Sequence, residues 1–395
     1  MSKSATSEAT SSGSFEASAR LRRRHRAERR FQAACITALS IAGAFLVLFF
    51  SDMIRTGYSA FLQTEVQVEI EYPQPEEYWL AIDSDMRDFV SRGFTRQLPR
   101  MLKANPELIG QTRTEWVLAK ADVDQFRKGH EDALDPEVAE RARALEDAGR
   151  LRFSFNHWLF TQGDSKLPEL AGLKSAIVGS IYVLALTLAF AFPIGVMTAV
   201  YLEEFAPDNR FTQAIEININ NLAAVPSILF GLLGLAIFIN FFGVPRSSAI
   251  AGGLTLGLMT LPIIIISTRA ALRAVPHAIR EGALAMGATR WQTVRDHVLP
   301  MSLPGILTGT IIGLAQAMGE TAPLLLIGMI AYIPDAPGSL TEAATVLPAQ
   351  IFTWAGMPEQ AYVSRTAAAI LILLAVLIAL NATAVYLRRR FERRW

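Results

Sequence analysis

Glu320 is the only charged residue in the run 305–333, which is otherwise apolar or neutral. A lone carboxylate costs several kcal/mol in hydrocarbon, so it must face protein or a water-filled interior. Gln316 lies four residues earlier, one helical turn away on the same face, and Thr321 adjoins the acid. Such a trio serves either as a structural pair between helices or as a contact for a polar solute passing through the interior. Arg269 and Arg273, also four apart, follow the apolar run 249–268 and share a helix face. Pro226 and Ser227 sit inside another run, 222–242. A proline there frees a carbonyl that a neighbouring helix or pore water must satisfy, and simple packing is the other reading. A last group, Arg280, Glu281 and Arg290, carries its charges on a polar segment between two apolar runs. Ion pairs are the chemistry available there, and Ala283 and Gly287 are small enough to let backbones approach.

Other chemistries are excluded. The five histidines show no metal-ligand spacing, and the single cysteine, Cys35, rules out a disulfide framework or a cysteine-based zinc site. Cys35 lies in an apolar run and reads as a small buried hydrophobe. The apolar runs hold no nucleophile–base set, and no G-x-x-x-x-G-K-[ST] phosphate loop occurs. We therefore expect no catalytic residue, no metal and no cofactor bound by this chain.

The elements that must carry these residues follow from hydropathy. The 395 residues are 51% hydrophobic with a net charge of +1, and the charges are segregated. No global basic field exists to suit a nucleic-acid partner. Runs of bilayer length occur at 31–50, 176–202, 222–242, 249–268, 305–333 and 366–387. The first is longer than a signal-peptide core and lacks a small-x-small cleavage site, so it reads as a retained helix. Basic clusters at 20–30 and 388–394 flank the set. Both belong in the cytoplasm by the positive-inside rule, which demands an even number of crossings. The expectation is an all-α membrane protein of six transmembrane helices. Residues 1–30 read as a cytoplasmic basic tail, disordered over the Ser-, Ala-, Thr- and Gly-rich first 19, and 31–53 as helix one. Residues 54–170 read as a periplasmic insert of mixed α/β type, 171–387 as the transmembrane domain, and 388–395 as a basic cytoplasmic tail. Within the insert, alternation over 65–72 predicts a strand, and 85–103 and 136–151 predict helices, the second capped by Asp135.

The polar segment 275–300 is punctuated as helix, glycine turn, helix. Pro276 suits a first helical turn, Gly287 a left-handed terminus, and Thr289 with Gln292 a capping box. Leu299-Pro300 then ends the second helix.

Glu281, Ala283, Gly287, Leu299 and Pro300 resemble, residue by residue, the EAA loop of bacterial ABC importer permeases. In that family the loop is a coupling helix docked into a groove of a cytoplasmic ATPase. Two positions depart from the pattern: Gly282 replaces its second residue and His297 its usual aliphatic. Three further stretches narrow the resemblance, over about residues 172–387, to the PstA family of phosphate ABC transporter permeases. They are Ala199-Val-Tyr-Leu-Glu-Glu-Phe-Ala-Pro207, Asn221-Leu-Ala-Ala-Val-Pro-Ser-Ile-Leu-Phe-Gly-Leu-Leu-Gly-Leu-Ala236 and Gly319-Glu-Thr-Ala-Pro-Leu-Leu325. PstC tends to carry Gly-Glu-Thr-Met instead of the third. The insert resembles an N-terminal extension found in a subset of PstA proteins.

The resemblance implies a MetI-like ABC importer permease core in the bacterial inner (plasma) membrane, serving as a transmembrane subunit of an ATP-driven phosphate importer. The implied partners are a PstC-type permease, a PstB-type ATPase dimer that binds the ATP and Mg, and a PstS-type periplasmic phosphate-binding protein. Coupling to the ATPase would fall to Arg280, Glu281, Ala283, Gly287, Arg290, Leu299 and Pro300. The translocation pathway would draw on Glu320, Gln316, Thr321, Arg269, Arg273, Pro226 and Ser227. Glu320 would pair with an arginine, for instance from PstC, or accept a proton from hydrogen phosphate. This chain departs from the family where many PstA proteins carry an arginine at the position of Gln316, and where Arg-Thr-Thr-Glu is replaced by Ile266-Ser-Thr-Arg269. The positive charge is thus displaced or supplied elsewhere. Arg269 and Arg273 would receive departing phosphate or act as positive-inside anchors. The competing readings are a permease for another oxyanion, such as sulfate or molybdate, and a phosphate-sensing membrane scaffold.

Overall fold

The structure, a computed structural model, describes residues 5–391. Residues 1–4 and 392–395, parts of the two tails, lie outside the described residues. The chain divides between residues 55 and 56 into two units. The first is almost wholly one helix, α1, Ala5–Tyr58, which continues just into the second. It takes in the stretch expected to be a disordered tail, because no proline interrupts it anywhere along its length. Cys35 is exposed on this helix, correcting the expectation of a buried position.

The second unit opens with the insert. Three antiparallel strands, β1 (Leu62–Glu71), β2 (Thr112–Leu118) and β3 (Leu151–Phe155), lie in the order β2-β1-β3. Alternation over β1 puts Val66, Val68 and Ile70 into a core, leaving Glu69 and Glu71 in solvent. Helices α2 (Arg92–Ala104), α3 (Ala121–Arg127) and α4 (Pro136–Asp147) bring Leu98, Leu102, Val123, Phe126 and Ala142 to that core. The α/β composition is therefore as expected, but two boundaries are not. Helix α2 starts seven residues after position 85, because the Ser91 hydroxyl accepts from Gly93 N and caps it there. Helix α4 ends at Asp147, four residues before 151, where Gly149 at φ 70° turns the chain into β3. Asp135 is its N-cap residue but makes no side-chain cap bond. A single turn, α5 (Trp158–Thr161), leads toward the membrane helices.

Among the described residues, five helices are long and apolar enough to cross a membrane, and six if one bent pair counts as a span. After α1 the first is α6 (Lys174–Val200), extended by a wider π-type turn, Tyr201–Phe205. It packs along α9 (Ala249–Arg273), where Thr187 Oγ1 donates to Gly253 O at 3.1 Å. Between them lies the bent pair. Helices α7 (Arg210–Ala223) and α8 (Ser227–Gly234, prolonged by the π-type stretch Leu235–Phe241) meet at 104°. The run 222–242 is thus no straight span: Pro226, at φ −54° and ψ 136°, breaks it near its start.

Beyond the polar loop, α12 (Leu299–Gly319) is shorter than the apolar run 305–333 at its far end. The backbone turns extended at Glu320, then forms the short α13 (Ala322–Leu326) and a Gly328 turn at φ 96°. Hydropathy sees side chains and cannot register this change of backbone. The segment 334–365, between the last two apolar runs, contains α14 (Leu347–Ala355) and the first turns of α15 (Gln360–Phe391). Arg365 consequently lies in a helix and is buried, its Nε 3.5 Å from Ala171 O.

Candidate functional site

The polar segment is built as its punctuation predicts, with two exceptions. Helix α10, His277–Ala285, follows Pro276, which serves as its N-cap and not within its first turn. Gly287 adopts φ 89°, and its N–H and that of Ala288 close on Leu284 O and Ala283 O. A Cβ at Gly287 would meet nothing of this chain within 4 Å, so within the chain the glycine serves the backbone conformation. Thr289 and Gln292 form the capping box, Gln292 N donating to Thr289 Oγ1 at 3.2 Å and Thr289 N to Gln292 Oε1 at 2.8 Å. They start α11, Arg290–Thr293. The second exception is Leu299-Pro300, which does not end a helix. A π-type turn, Val294–Val298, carries α11 straight into α12. Its wider i→i+5 spacing accommodates a proline that would clash in an α-helical ladder.

Leu272, Val275 and Val298 form the buried heart of the loop, with Val200, Ile279 and Met301 against them. Its outer surface carries Leu284, Met286 and Trp291, of which Met286 is 89% exposed, together with exposed Glu281 and Arg290. Ala283 is half-buried.

Arg280 is turned inward. Its Nη2 lies 2.6 Å from Glu204 Oε1 and 2.9 Å from Leu272 O, while Nη1 donates to Val275 O at 2.7 Å. Glu204 belongs to the π-type turn after α6 and is only 8% exposed. The arginine therefore staples the loop to a membrane helix and is not free to reach a partner. Arg269 and Arg273 are engaged as well. Arg269 Nε donates to Glu203 Oε2 at 3.1 Å and its Nη2 to Glu216 Oε1 at 2.6 Å, and Arg273 Nε meets Glu203 Oε1 at 2.8 Å. This network joins α6, α7 and α9. Glu203, Glu204 and Glu216 are not among the site residues expected from the sequence. Acids at positions 203 and 216 facing an arginine pair four apart on one helix are the only hint, and the partners are 53 to 70 residues distant.

The remaining residues sit at the two breaks. Glu320 is half-buried and makes no ion pair among the described residues. Gln316 is exposed at the end of α12, and Thr321 is the N-cap of α13 without a side-chain cap bond. Pro226 is exposed and Ser227 half-buried. The structure brings the elements after these breaks together: a Cβ on Gly231 of α8 would stand 2.7 Å from Pro323 Cα of α13. Arg269 and Arg273 are joined to Glu203 and Glu216, not to Glu320. No cluster of metal-ligating side chains occurs among the described residues.

This arrangement, membrane-spanning helices interrupted twice by broken backbone and linked by a stapled polar helix-turn-helix, is that of a transport-protein membrane subunit. The profile described as binding-protein-dependent transport system inner membrane component matches residues 191–395, and the chain belongs to that family. A second profile, a domain of unknown function (DUF3333), matches residues 18–78 and 80–137. The probable ABC transporter permease protein YqgI of Bacillus subtilis (strain 168) is 34% identical over 181 residues, 46% of this chain and 60% of that protein. The phosphate transport system permease protein PstA 1 of Mycobacterium tuberculosis (strain CDC 1551 / Oshkosh) is 33% identical over 224 residues, 56% of this chain and 73% of that protein. The resemblance to PstA-type permeases read from the sequence is thus borne out. With YqgI and YqgH of Bacillus subtilis the chain spans 60% and 63% of the relative's length. A solved chain of the inward-facing MetNI methionine ABC transporter aligns at TM-score 0.44 and 22% identity, covering 55% of this chain and 97% of that one.

Proposed function

We propose that this chain is a translocation subunit of an ATP-driven importer of inorganic phosphate. The observation that carries the reading is the 33% identity to PstA 1 over 224 residues, 56% of this chain. A PstC-type permease completes the pathway, a PstS-type protein delivers phosphate, and a PstB-type ATPase dimer binds the nucleotide and magnesium. Both termini face the cytoplasm and the insert faces outward, in keeping with the basic clusters at either end.

The division of labour follows from exposure. Leu284, Met286 and Trp291 supply an apolar knob for the ATPase groove, and Glu281 and Arg290 flank it with charge. Ala283, Gly287, Leu299 and Pro300 shape that knob, and Arg280 ties it to α6 and so to the spans. Glu320, Gln316, Thr321, Pro226 and Ser227 line the pathway where the backbone is broken. Discontinuous helices supply free backbone groups at membrane depth, which is what a hydrated ion needs in place of its water. Glu320 there pairs with a cation of the second permease or takes a proton from hydrogen phosphate. Arg269 and Arg273 can meet departing phosphate only when Glu203 lets them go.

The test is phosphate-stimulated ATP hydrolysis and phosphate uptake in reconstituted vesicles containing all four kinds of subunit. Glu281→Lys should abolish stimulation, and Glu320→Gln should stop uptake while the assembly stays intact. Normal transport by both variants would sink the assignment of loop and pathway. Uptake of sulfate or molybdate in preference to phosphate would make it another oxyanion permease. Uptake unaltered by loss of the whole chain would leave the sensing scaffold.

A further inference from the structure

Phe61, Phe160 and Phe155 stand in a file of stacked rings. Phe61 and Phe160 lie 6.2 Å apart with 22° between planes, and Phe160 and Phe155 6.3 Å apart with 6°. One end of the file is inside the membrane domain. Phe61 packs on a cluster containing Ala176 of α6 and Ala368 and Ala369 of α15, flanked by Ile177, Ile372 and Leu373. Both helices are apolar enough to cross a bilayer. The other end is open, with Phe160 39% and Phe155 59% exposed.

The strand register explains why. Leu151 pairs with Val66 and Phe155 with Leu62, so β3 runs from the insert's core back toward the end of α1. Leu151, Phe153 and Phe155 share one face, by the alternation of a strand. Leu151 is buried in the insert's core, while Phe153 and Phe155 have passed beyond its cover and are 44% and 59% exposed. Arg152, on the opposite face, is exposed and paired with Glu65 at 2.7 Å. The edge strand is therefore aromatic on one side, where the Arg127 guanidinium, paired with Glu146, covers one face of the Phe153 ring at 4.1 Å from its centroid and leaves Phe155 open, and charged on the other. Phe155 is one strand spacing from Leu62, which is four residues past Tyr58, the last of α1.

We propose that Phe153, Phe155 and Phe160 form a lipid-facing shelf that seats the insert on the bilayer. The occupant is the boundary between acyl chains and headgroups at that end of the spans. Continuity selects lipid: the ring file runs without interruption from the ends of α6 and α15, whose outer surfaces already face the bilayer, to the open edge of β3. Aromatic residues favour this depth, with an apolar body and a tolerance for the polar boundary. The inference needs only that α6 and α15 cross the membrane, and is independent of the substrate.

The test uses the full chain, assembled with its partner subunits in phosphatidylethanolamine–phosphatidylglycerol vesicles. Cys35→Ser removes the only native thiol, and nitroxides are attached at Phe153→Cys, Phe155→Cys and, on the opposite face, Arg152→Cys. Collision with oxygen, which partitions into lipid, is compared with collision with a water-soluble nickel chelate. The oxygen-to-nickel ratio at 153 and 155 should be at least several-fold that at 152. A ratio like that at 152 overturns the shelf and leaves these rings in water. Labels at 153 and 155 reached by neither collider also overturn it, in favour of a covering protein subunit. Phe153→Cys removes the contact with Arg127 and Phe155→Cys the stack on Phe160, so the two variants differ in what they remove and each repeats the reading should the other fail to assemble.

Discussion

Arg280→Ala tests whether the polar loop is a rigid part of the membrane domain. The wild-type guanidinium satisfies the Glu204 carboxylate and two carbonyls, Leu272 O and Val275 O. Its removal leaves Glu204, 8% exposed, as a charge with no partner among the described residues. Breaking a buried pair from one side costs roughly 3–5 kcal/mol. The arginine side chain itself is 16% exposed, so the lower end, about 3 kcal/mol, is the figure to expect. This cost falls on the docking of α10 and leaves the spans folded, as local opening does. At about 1.4 kcal/mol per decade it is roughly a hundredfold rise in the open population of the loop. Hydrogen exchange of the purified chain reads that directly: amides of α10 should lose roughly two decades of protection while those of central α9 keep theirs. Arg280→Lys should fall between, because a single ammonium cannot serve a carboxylate and two carbonyls in the guanidinium's geometry. The double variant with Glu204→Ala removes the orphaned charge and should recover part of the loss. Unchanged protection in Arg280→Ala, or additivity of the two substitutions within about 0.5 kcal/mol, would refute the staple.

Three further outcomes follow from the same geometry. Arg269→Ala should lower the thermal stability of the detergent-solubilised chain by about 2 kcal/mol, since it orphans Glu216, itself 33% exposed, and leaves Glu203 with Arg273 alone, whereas Arg273→Ala, 60% exposed, should cost less than about 1 kcal/mol. Gly287→Ala, at φ 89°, should destabilise the loop by about 1 kcal/mol in the exchange experiment, and Gly282→Ala, helical and with nothing within 4 Å of its Cβ, should stabilise it by up to about 1 kcal/mol. Burial, and then the charge of Glu115, push the Tyr72 hydroxyl from 10.0 up to about 12. The folded insert thus keeps a proton that the unfolded chain releases, so stability falls as pH rises through that window; circular-dichroism melts across it should show a shallower fall for Tyr72→Phe.

Local chemistry was legible in the sequence wherever the cause was local. The β1 alternation, the Gly287 turn and the Thr289–Gln292 capping box are each decided by residues within a few positions, and each is present. Reading failed where the cause lay elsewhere. Leu299-Pro300 obeys the rule that proline breaks a ladder, but the π-type turn before it had already widened the ladder. The apolar run 305–333 reads as one helix because Gly319, Thr321 and Ala322 do not disturb hydropathy, yet the backbone is extended at Glu320. Arg280 was read as facing a partner because its acid lies 76 residues away, beyond any spacing rule. The exposure of Met286 and Trp291, by contrast, left no signal in a pattern that treats every apolar residue as a core candidate.

Glu203 and Glu204 show how a short irregularity can join separate elements. They are consecutive, yet Glu203 bonds two arginines of α9 while Glu204 bonds Arg280 of the polar loop. Arg269 then passes the connection to Glu216 of α7, the helix that bends through 104° at Pro226. Side-chain contacts thus run without a break from α10 to the end of α6, from there to α9, and from α9 to one arm of the bent pair, with no continuous helix linking them. Each contact is a charge-assisted bond, partly buried except at Arg273, and breakable as a discrete event. A loop held only by its apolar contacts, Leu272, Val275 and Val298, could slide without dragging α7. Glu203→Gln therefore separates the two routes: it weakens the path through α9 to α7 and leaves the Arg280 staple in place. If such a variant retains α10 protection but exposes α7 amides to exchange, the ion pairs are the transmission. If α7 protection is unchanged, packing alone couples these helices.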